Sequence, residues 1–261
     1  MANERSSAGD PARTLELLWR QPSGSESRRG PRQGLSVDEI VDAAIALADE
    51  AGLAIVTMRQ LAKALGVATM TLYTYVPGKA ELLDLMLDTV YQQMPRTETA
   101  GQPWRRRLEA VAADNKSLYQ RHPWAATISI GRPPLGPGVM AKYDYELRAL
   151  EGTGLDDVAM DATLTFLLDF VRASARAAAE VEATTRESQM SDQQWWAANA
   201  PLLARVFDEA AYPTAARVGA AAGAAHHAAF NPEHAFRFGL ERVLDGLSML
   251  IDHHGQHTEE K

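Results

Sequence analysis

Apolar residues recur along this chain at intervals of three and four, the period of an amphipathic helix, and never in a convincing strand alternation. The first run is Val37, Ile40, Val41, Ala44, Ile45 and Ala48. Ser36 precedes it as an N-cap, with Glu39 three residues on completing a capping box, and Gly52 ends it. Thr57 caps a second helix, whose Leu61, Ala64 and Leu65 form its buried side and which Gly66 stops. A third, short helix is expected over 68–75, broken by Pro77-Gly78, and a fourth starts near Lys79 with Leu82, Leu83, Met86, Leu87 and Val90. Residues 95–103 read as a polar linker. Beyond it, 104–121 carries Leu108, Val111, Ala112, Leu118 and Tyr119 on one face, and a loop at 131–138 leads into a helix ending near 150. Residues 156–182 read as a long helix apolar on two sides, which must be covered on two sides. Its Asp161, Thr165, Asp169, Arg172 and Arg176 fall on one line, expected as intrahelical salt bridges. The stretch 183–235 is less regular, and its alanine-rich part, 216–230, reads as either helix or mobile loop. A last helix is expected over 233–252, with Phe236, Leu240, Val243, Leu244, Leu247 and Leu250 in register. The fold class is all-α.

Composition narrows the functional classes. The chain has 261 residues and no cysteine, so disulfides, thiolate metal sites and cysteine nucleophiles are excluded, and a cytosolic setting is expected. No run of about 18 apolar residues suggests a membrane span, and the polar start MANERSSAGD lacks a secretory apolar core. A net charge of −8 and a pI near 5.4 argue against a protein that coats nucleic acid, while leaving room for a small DNA-reading head on an acidic body. No Ser-His-Asp, paired-carboxylate or phosphate-loop arrangement points to an enzyme, and no cofactor is expected. His226, His227, His253, His254 and His257 lack carboxylates to orient them, so no metal site is expected either.

The stretch GVATMTLYTYVPGK at 66–79 carries the functional signal. Two short helices joined by a glycine turn form the helix-turn-helix pattern, in which the second helix puts its early side chains into the major groove. Val67 and Leu72 pack inward, leaving Thr69, Met70, Thr71, Tyr73 and Tyr75 to point outward. Threonines allow close approach to base edges, whereas tyrosine hydroxyls and the Lys79 ammonium suit phosphates. On pattern alone, an ordinary three-helix subdomain remains a contender.

The segment AIALADEAGLAIVTMRQLAKALGVATMTLYTYVPGKAELLDLM resembles, without a gap, the DNA-binding domain of the TetR family of bacterial transcription repressors. PWRRRLEAVA at 103–112 and FRFGLERVLDGL at 236–247 are similar to the tetracycline-repressor type of effector domain in that family. The resemblance implies a three-helix helix-turn-helix DNA-binding domain followed by a helical effector-binding and dimerisation domain. The expected division is a flexible basic arm (1–34), the DNA-binding domain (35–80), the ligand-binding and dimerisation domain (81–252) and a disordered tail (253–261). It places Thr57 and Arg59 at the DNA backbone, Ala68, Thr69, Met70 and Thr71 at the bases, and Tyr73, Tyr75 and Lys79 on phosphates. Arg28, Arg29 and Arg32 either reach DNA as an arm or form a solvated tail. Implied partners are double-stranded operator DNA, a small-molecule effector of unknown identity and a second copy of the chain. The protein would be cytoplasmic and bacterial, nucleoid-associated when bound to DNA, and not in a membrane. Gly239 and Gly246 would let the terminal helices of a dimer approach closely. In the tetracycline repressor a His and a Thr hold drug-bound magnesium; Ser129 and Arg132 stand there in this chain, so that effector is not expected.

For an effector pocket the candidate lining is Val111, Asn115, Tyr119, Trp124, Ser129, Tyr145, Leu164, Phe166 and Leu168, with Tyr143 as a further aromatic. Asn115, on an apolar stripe, either anchors a ligand or is a core amide bonded to backbone. Of the Trp195-Trp196 pair, one ring could pack while the other caps the pocket or meets a partner. The alternatives are a regulator gated by a protein partner and a constitutive DNA binder. A cavity of several hundred Å³ discriminates between them and the ligand-responsive repressor.

Overall fold

A computed structural model describes residues 9–20, 35–128 and 131–258, the last of these, 253–258, by backbone alone. Every regular element among them is helical. Helix α1 spans Pro11–Leu18, α2 Val37–Ala51, α3 Met58–Leu65, α4 Thr69–Tyr73 and α5 Lys79–Gln92. Helix α6 follows over Trp104–Arg121, α7 over Pro123–Thr127, α8 over Pro137–Arg148 and α9 over Asp157–Ser188. Helices α10 (Asp192–Val206), α11 (Pro213–His226) and α12 (Pro232–Thr258) complete the chain.

The caps fall where local chemistry demands them. The Ser36 and Glu39 side chains bond each other's backbone N–H at the start of α2, and the Thr57 hydroxyl accepts the Gln60 N–H at the start of α3. Gly66 sits at φ 68°, ψ 28°, the left-handed conformation that lets α3 turn into α4 within a few residues.

Helix α5 has almost no solvent side. Leu82, Leu83, Leu85, Met86, Leu87 and Val90 are buried, and α1, α2 and α8 cover it from three directions. Each such leucine stabilises the fold by roughly 1.5–3 kcal/mol through burial. The carboxylates Glu81 and Asp88 are buried on the same helix and accept backbone N–H groups from neighbours, Asp10 for Glu81 (3.3 Å) and Val139 for Asp88 (2.9 Å). Burial raises the Asp88 carboxyl above the usual carboxylate range, against the lowering pull of the Val139 and Gly138 N–H groups and Arg20. Asp88 thus caps α8 from outside. Gly138 makes this crossing possible, because a Cβ there would run into the Asp88 carbonyl.

Several expectations change. The arm 1–34 reads in sequence as mostly flexible, with the apolar patch Leu15 to Trp19 able to form a helical turn or two; Pro11–Leu18 is a docked helix. Asp10 caps it by accepting from the Ala12 and Arg13 N–H groups, and Leu18 and Thr14 are buried. Arg28, Arg29 and Arg32 lie outside the described residues. Helix α9 runs six residues past the expected end at 182, to Ser188. The irregular stretch 183–235 contains α10, opened by a Ser191–Gln194 capping box, and α11, which takes in most of the alanine run. The tail 253–261 is expected to be disordered, but α12 continues to Thr258. The side chains of His253, His254 and His257 lie outside the described residues. Gly239 seats the Phe170 ring of α9 within the same chain, where a Cβ would collide with it. Trp196 packs against Gly223 of α11, while Trp195 is half-exposed.

Gly138→Ala should destabilise the protein by about 1–3 kcal/mol, the cost of forcing atoms into a filled contact. Gly219→Ala, which meets nothing within 4 Å in α11, should instead be neutral or stabilise by about 0.5–1 kcal/mol. Urea unfolding of the two variants checks both.

Candidate functional site

Two sites stand at opposite ends of α5. At the first, α4 follows the Gly66 turn with Leu72 and, just beyond the helix, Val76 fully buried. Around them the same short helix exposes Met70 (73%) and Tyr73 (42%). Thr69 and Thr71 are half-buried beside Met70, and Ala68 is exposed at the N-cap, where it offers no side-chain cap. Arg59 is exposed in the first turn of α3, but the Thr57 hydroxyl is taken up by the cap. Tyr75 is half-buried against the core, and Lys79 is the first residue of α5. A continuous outward strip therefore runs from Arg59 across the tip of α4, backed by a rigid apolar floor.

At the second, a cleft of about 520 Å³ opens between α8 and α9. Leu164, Leu168, Val139 and Met140 give it an apolar lining, with Pro133 and Pro134 at its mouth. Its polar groups are Tyr91, Tyr119, Lys142, Glu146 and Arg172, with Tyr143, Asp161 and Asp169 among the more exposed. Lys142 and Glu146 form a buried ion pair at 2.6 Å, one turn apart on α8. Asn115 Nδ2 donates to the same Glu146 Oε1 at 2.6 Å and to the Val111 carbonyl at 2.9 Å, while its Oδ1 has no partner. The Tyr91 and Tyr119 hydroxyls are hydrogen-bonded to one another. Burial pushes Tyr91 well above the usual phenol range and Tyr119 up to about 12, so both stay neutral hydrogen-bonding groups.

Arg172 reaches from α9 to the C-terminal end of α7, where Nε donates to the Ala126 carbonyl at 3.0 Å and Nη2 to the Ile128 carbonyl. A cation at a helix C-terminus suits the dipole there. Helix α7 in turn grips the head. Trp124 Nε1 donates to Asp49 Oδ1 of α2 at 2.7 Å, and His122 Nδ1 lies 2.9 Å from the same carboxylate oxygen.

Of the residues proposed for a pocket, the cleft takes in Tyr119, Leu164 and Leu168. Four others lie elsewhere. Val111 is core; Trp124 is occupied by Asp49; the Tyr145 hydroxyl turns to Asp114 (2.7 Å) and the Thr97 carbonyl (3.1 Å). Phe166, two residues from both Leu164 and Leu168, lies on the far side of α9 and is 56% exposed. Asn115 reaches the cleft only through Glu146, and Ser129 lies outside the described residues. Arg132 faces α1, not the cleft. The expected salt-bridge line on α9 is also revised, since Arg172 holds α7 and Asp161 accepts the Tyr143 hydroxyl at 2.6 Å. Sequence reading passes over Tyr91, Lys142 and Glu146. Val139, Lys142, Tyr143 and Glu146 do repeat at helical spacing, but a charged stripe looks the same whether it faces water or a cleft.

Known proteins share this architecture. Residues 40–86 match the family model described as bacterial regulatory proteins, tetR family, and residues 95–251 match the tetracyclin repressor-like C-terminal domain. The chain is 38% identical over 252 residues to the HTH-type transcriptional repressor DrrR1 of Streptomyces coeruleorubidus, covering 96% of this chain and 90% of that one. It is 31% identical over 194 residues to an HTH-type transcriptional regulator of Saccharopolyspora erythraea, covering 73% and 81%. Among solved structures, Streptomyces coelicolor ActR in complex with actinorhodin is similar, with a TM-score of 0.68 at 25% identity over 84% of this chain and 99% of that one.

Removing one member of the buried pair should be costly and removing both much less so. Lys142→Met should destabilise by about 3–5 kcal/mol, because Glu146 is left charged in a dry site. Adding Glu146→Gln, which keeps an acceptor for Asn115, should recover more than half of that loss in a urea-unfolding double-mutant cycle.

Proposed function

The chain belongs to the tetR family of bacterial regulatory proteins, and from that premise we propose that it is a homodimeric repressor released from operator DNA by a small molecule in the α8/α9 cleft. The observation that carries this reading is the single buried helix α5, with the α4 strip at its start and Asp88, the cap of α8, near its end.

In this reading Thr69, Met70 and Thr71 meet base edges, while Arg59, Tyr73, Tyr75 and Lys79 hold phosphates. The dimer forms through α9 and α12, whose Phe166, Phe238 and Met249 stand exposed. Two recognition helices then reach successive major grooves, about 34–36 Å apart, on a palindromic site. The repressor is cytoplasmic and joins the nucleoid when bound to DNA. Among the described residues no helix is long and apolar enough to cross a membrane.

A cleft of this volume, with convergent polar groups on an apolar floor, supports a small-molecule effector over gating by a protein partner. ActR, which has been solved with actinorhodin, offers a precedent in a similar fold. A ligand that engages Lys142, Glu146 or Arg172 pulls on two links to the head. One is α8 through Asp88 to α5; the other is α7 through Trp124 and His122 to Asp49. The ligand releases DNA only if it binds the displaced arrangement more tightly than the DNA-bound one.

Replacing both Tyr73 and Lys79 by alanine should weaken binding to the DNA upstream of its own or a neighbouring gene about uniformly across sequences, and should reduce the slope of log affinity against log salt by about 1 for the Lys79 charge removed. Size-exclusion chromatography should show the dimer intact. If the double variant shifted that DNA as well as the unsubstituted protein, α4 would not be the reading helix.

A further inference from the structure

Helix α1 lies outside both matched family regions, 40–86 and 95–251. It is nonetheless a specified element. Asp10 caps it, Pro11 opens it, and an eight-residue helix of this kind holds its shape only against a surface. That surface is made of three separate parts of the protein.

On the lever, the Asp10 N–H donates to Glu81 Oε1 at 3.3 Å, and Thr14 and Leu18 are buried against α5. On the head, Arg20 forms an ion pair with Asp38 in the first turn of α2, while its Nη1 donates to the Leu17 carbonyl at 2.7 Å. This joins the negative end of α1 to an acid at the positive end of α2, through one guanidinium. On the body, Trp19 Nε1 donates to the Leu135 carbonyl at 2.8 Å. Leu135 belongs to the loop 131–136, whose Pro133 and Pro134 line the space beside α1 and also the effector cleft. One loop is therefore the shared wall between the cleft and α1.

We propose that residues 10–20 form a strap that sets the angle between the reading head and the effector body, with Trp19 and Arg20 as its positioning residues and loop 131–136 as its release point. A molecule filling the cleft displaces Pro133 and Pro134, draws the Leu135 carbonyl away from Trp19, and frees the head at Asp38. The strap acts beside the two links already described and rests on the proposed repressor function.

The test exploits the absence of cysteine, which lets one introduced thiol per chain carry a spin label. Gln60→Cys places that label on exposed α3, and head-to-head distances are read in the DNA-free dimer by pulsed dipolar spectroscopy. Trp19→Phe removes the indole N–H while keeping an aromatic ring; Arg20→Asp repels Asp38; Arg20→Asp with Asp38→Arg restores the pair reversed. Affinity for the protein's own upstream DNA is measured on unlabelled chains by fluorescence anisotropy. Trp19→Phe and Arg20→Asp should each broaden the distance distribution and weaken DNA binding about 5-fold or more, a typical coupling between sites, and the reversed pair should return most of both. Wild-type affinity in both single variants would overturn the strap, as would weaker binding with an unchanged distance distribution. An unsubstituted protein that failed to bind its upstream DNA would instead sink the repressor reading.

Discussion

A helix covered on nearly every side cannot move alone, and α5 is such a helix. Its leucines fill the interior between the head and the body, and two of its three buried carboxylates, Glu81 and Asp88, each accept an N–H from another element. Displacing α5 by even part of a turn would leave those acceptors unpaired in a dry interior, which costs more than losing a hydrogen bond in water. The head and body therefore share one core, and the small α4 takes its orientation from that core. The side chains of this uncharged helix are thus aimed by packing.

The cleft obeys the same constraint. An apolar cavity of about 520 Å³ would be free to collapse, whereas the Lys142–Glu146 pair with Asn115, and the Tyr91–Tyr119 pair, hold it open with fixed polar geometry. Such groups cost free energy to bury, and under the proposed function a ligand that left one of them unpaired would be rejected. Arg172 belongs both to the cleft and to the end of α7.

How much of this is legible in the sequence follows from the range of the interactions. Caps, stops and the Gly66 turn are local, and Ser36, Glu39, Thr57 and Gly66 stand in the structure where their chemistry puts them. Helix α4 is legible for the same reason. Helix α1 is legible only as the apolar patch Leu15 to Trp19, because Arg20 meets Asp38 and Trp19 meets Leu135 across the fold, and nothing local announces those partners. The cleft is half legible. Leu164 and Leu168 stand out as apolar, but Asp161, Asp169 and Arg172 read as an intrahelical salt-bridge line until α8 is placed opposite them. Trp124 and Tyr145 mislead because an aromatic ring suggests pocket lining, whereas each commits its polar atom to a distant carboxylate. The alanine-rich α11 has too little pattern to choose between helix and loop.

The central claim is that α5 makes the head and body one cooperative unit. Native-state hydrogen exchange of the α5 amides, followed across a series of low urea concentrations, tests it most directly. The account predicts that the amides of Leu82 to Val90 exchange only with global unfolding, at the same free energy and urea dependence as core amides in α2 and α9. Exchange of α2 and α5 at a clearly lower free energy than α9, through an opening that frees the head alone, would contradict it.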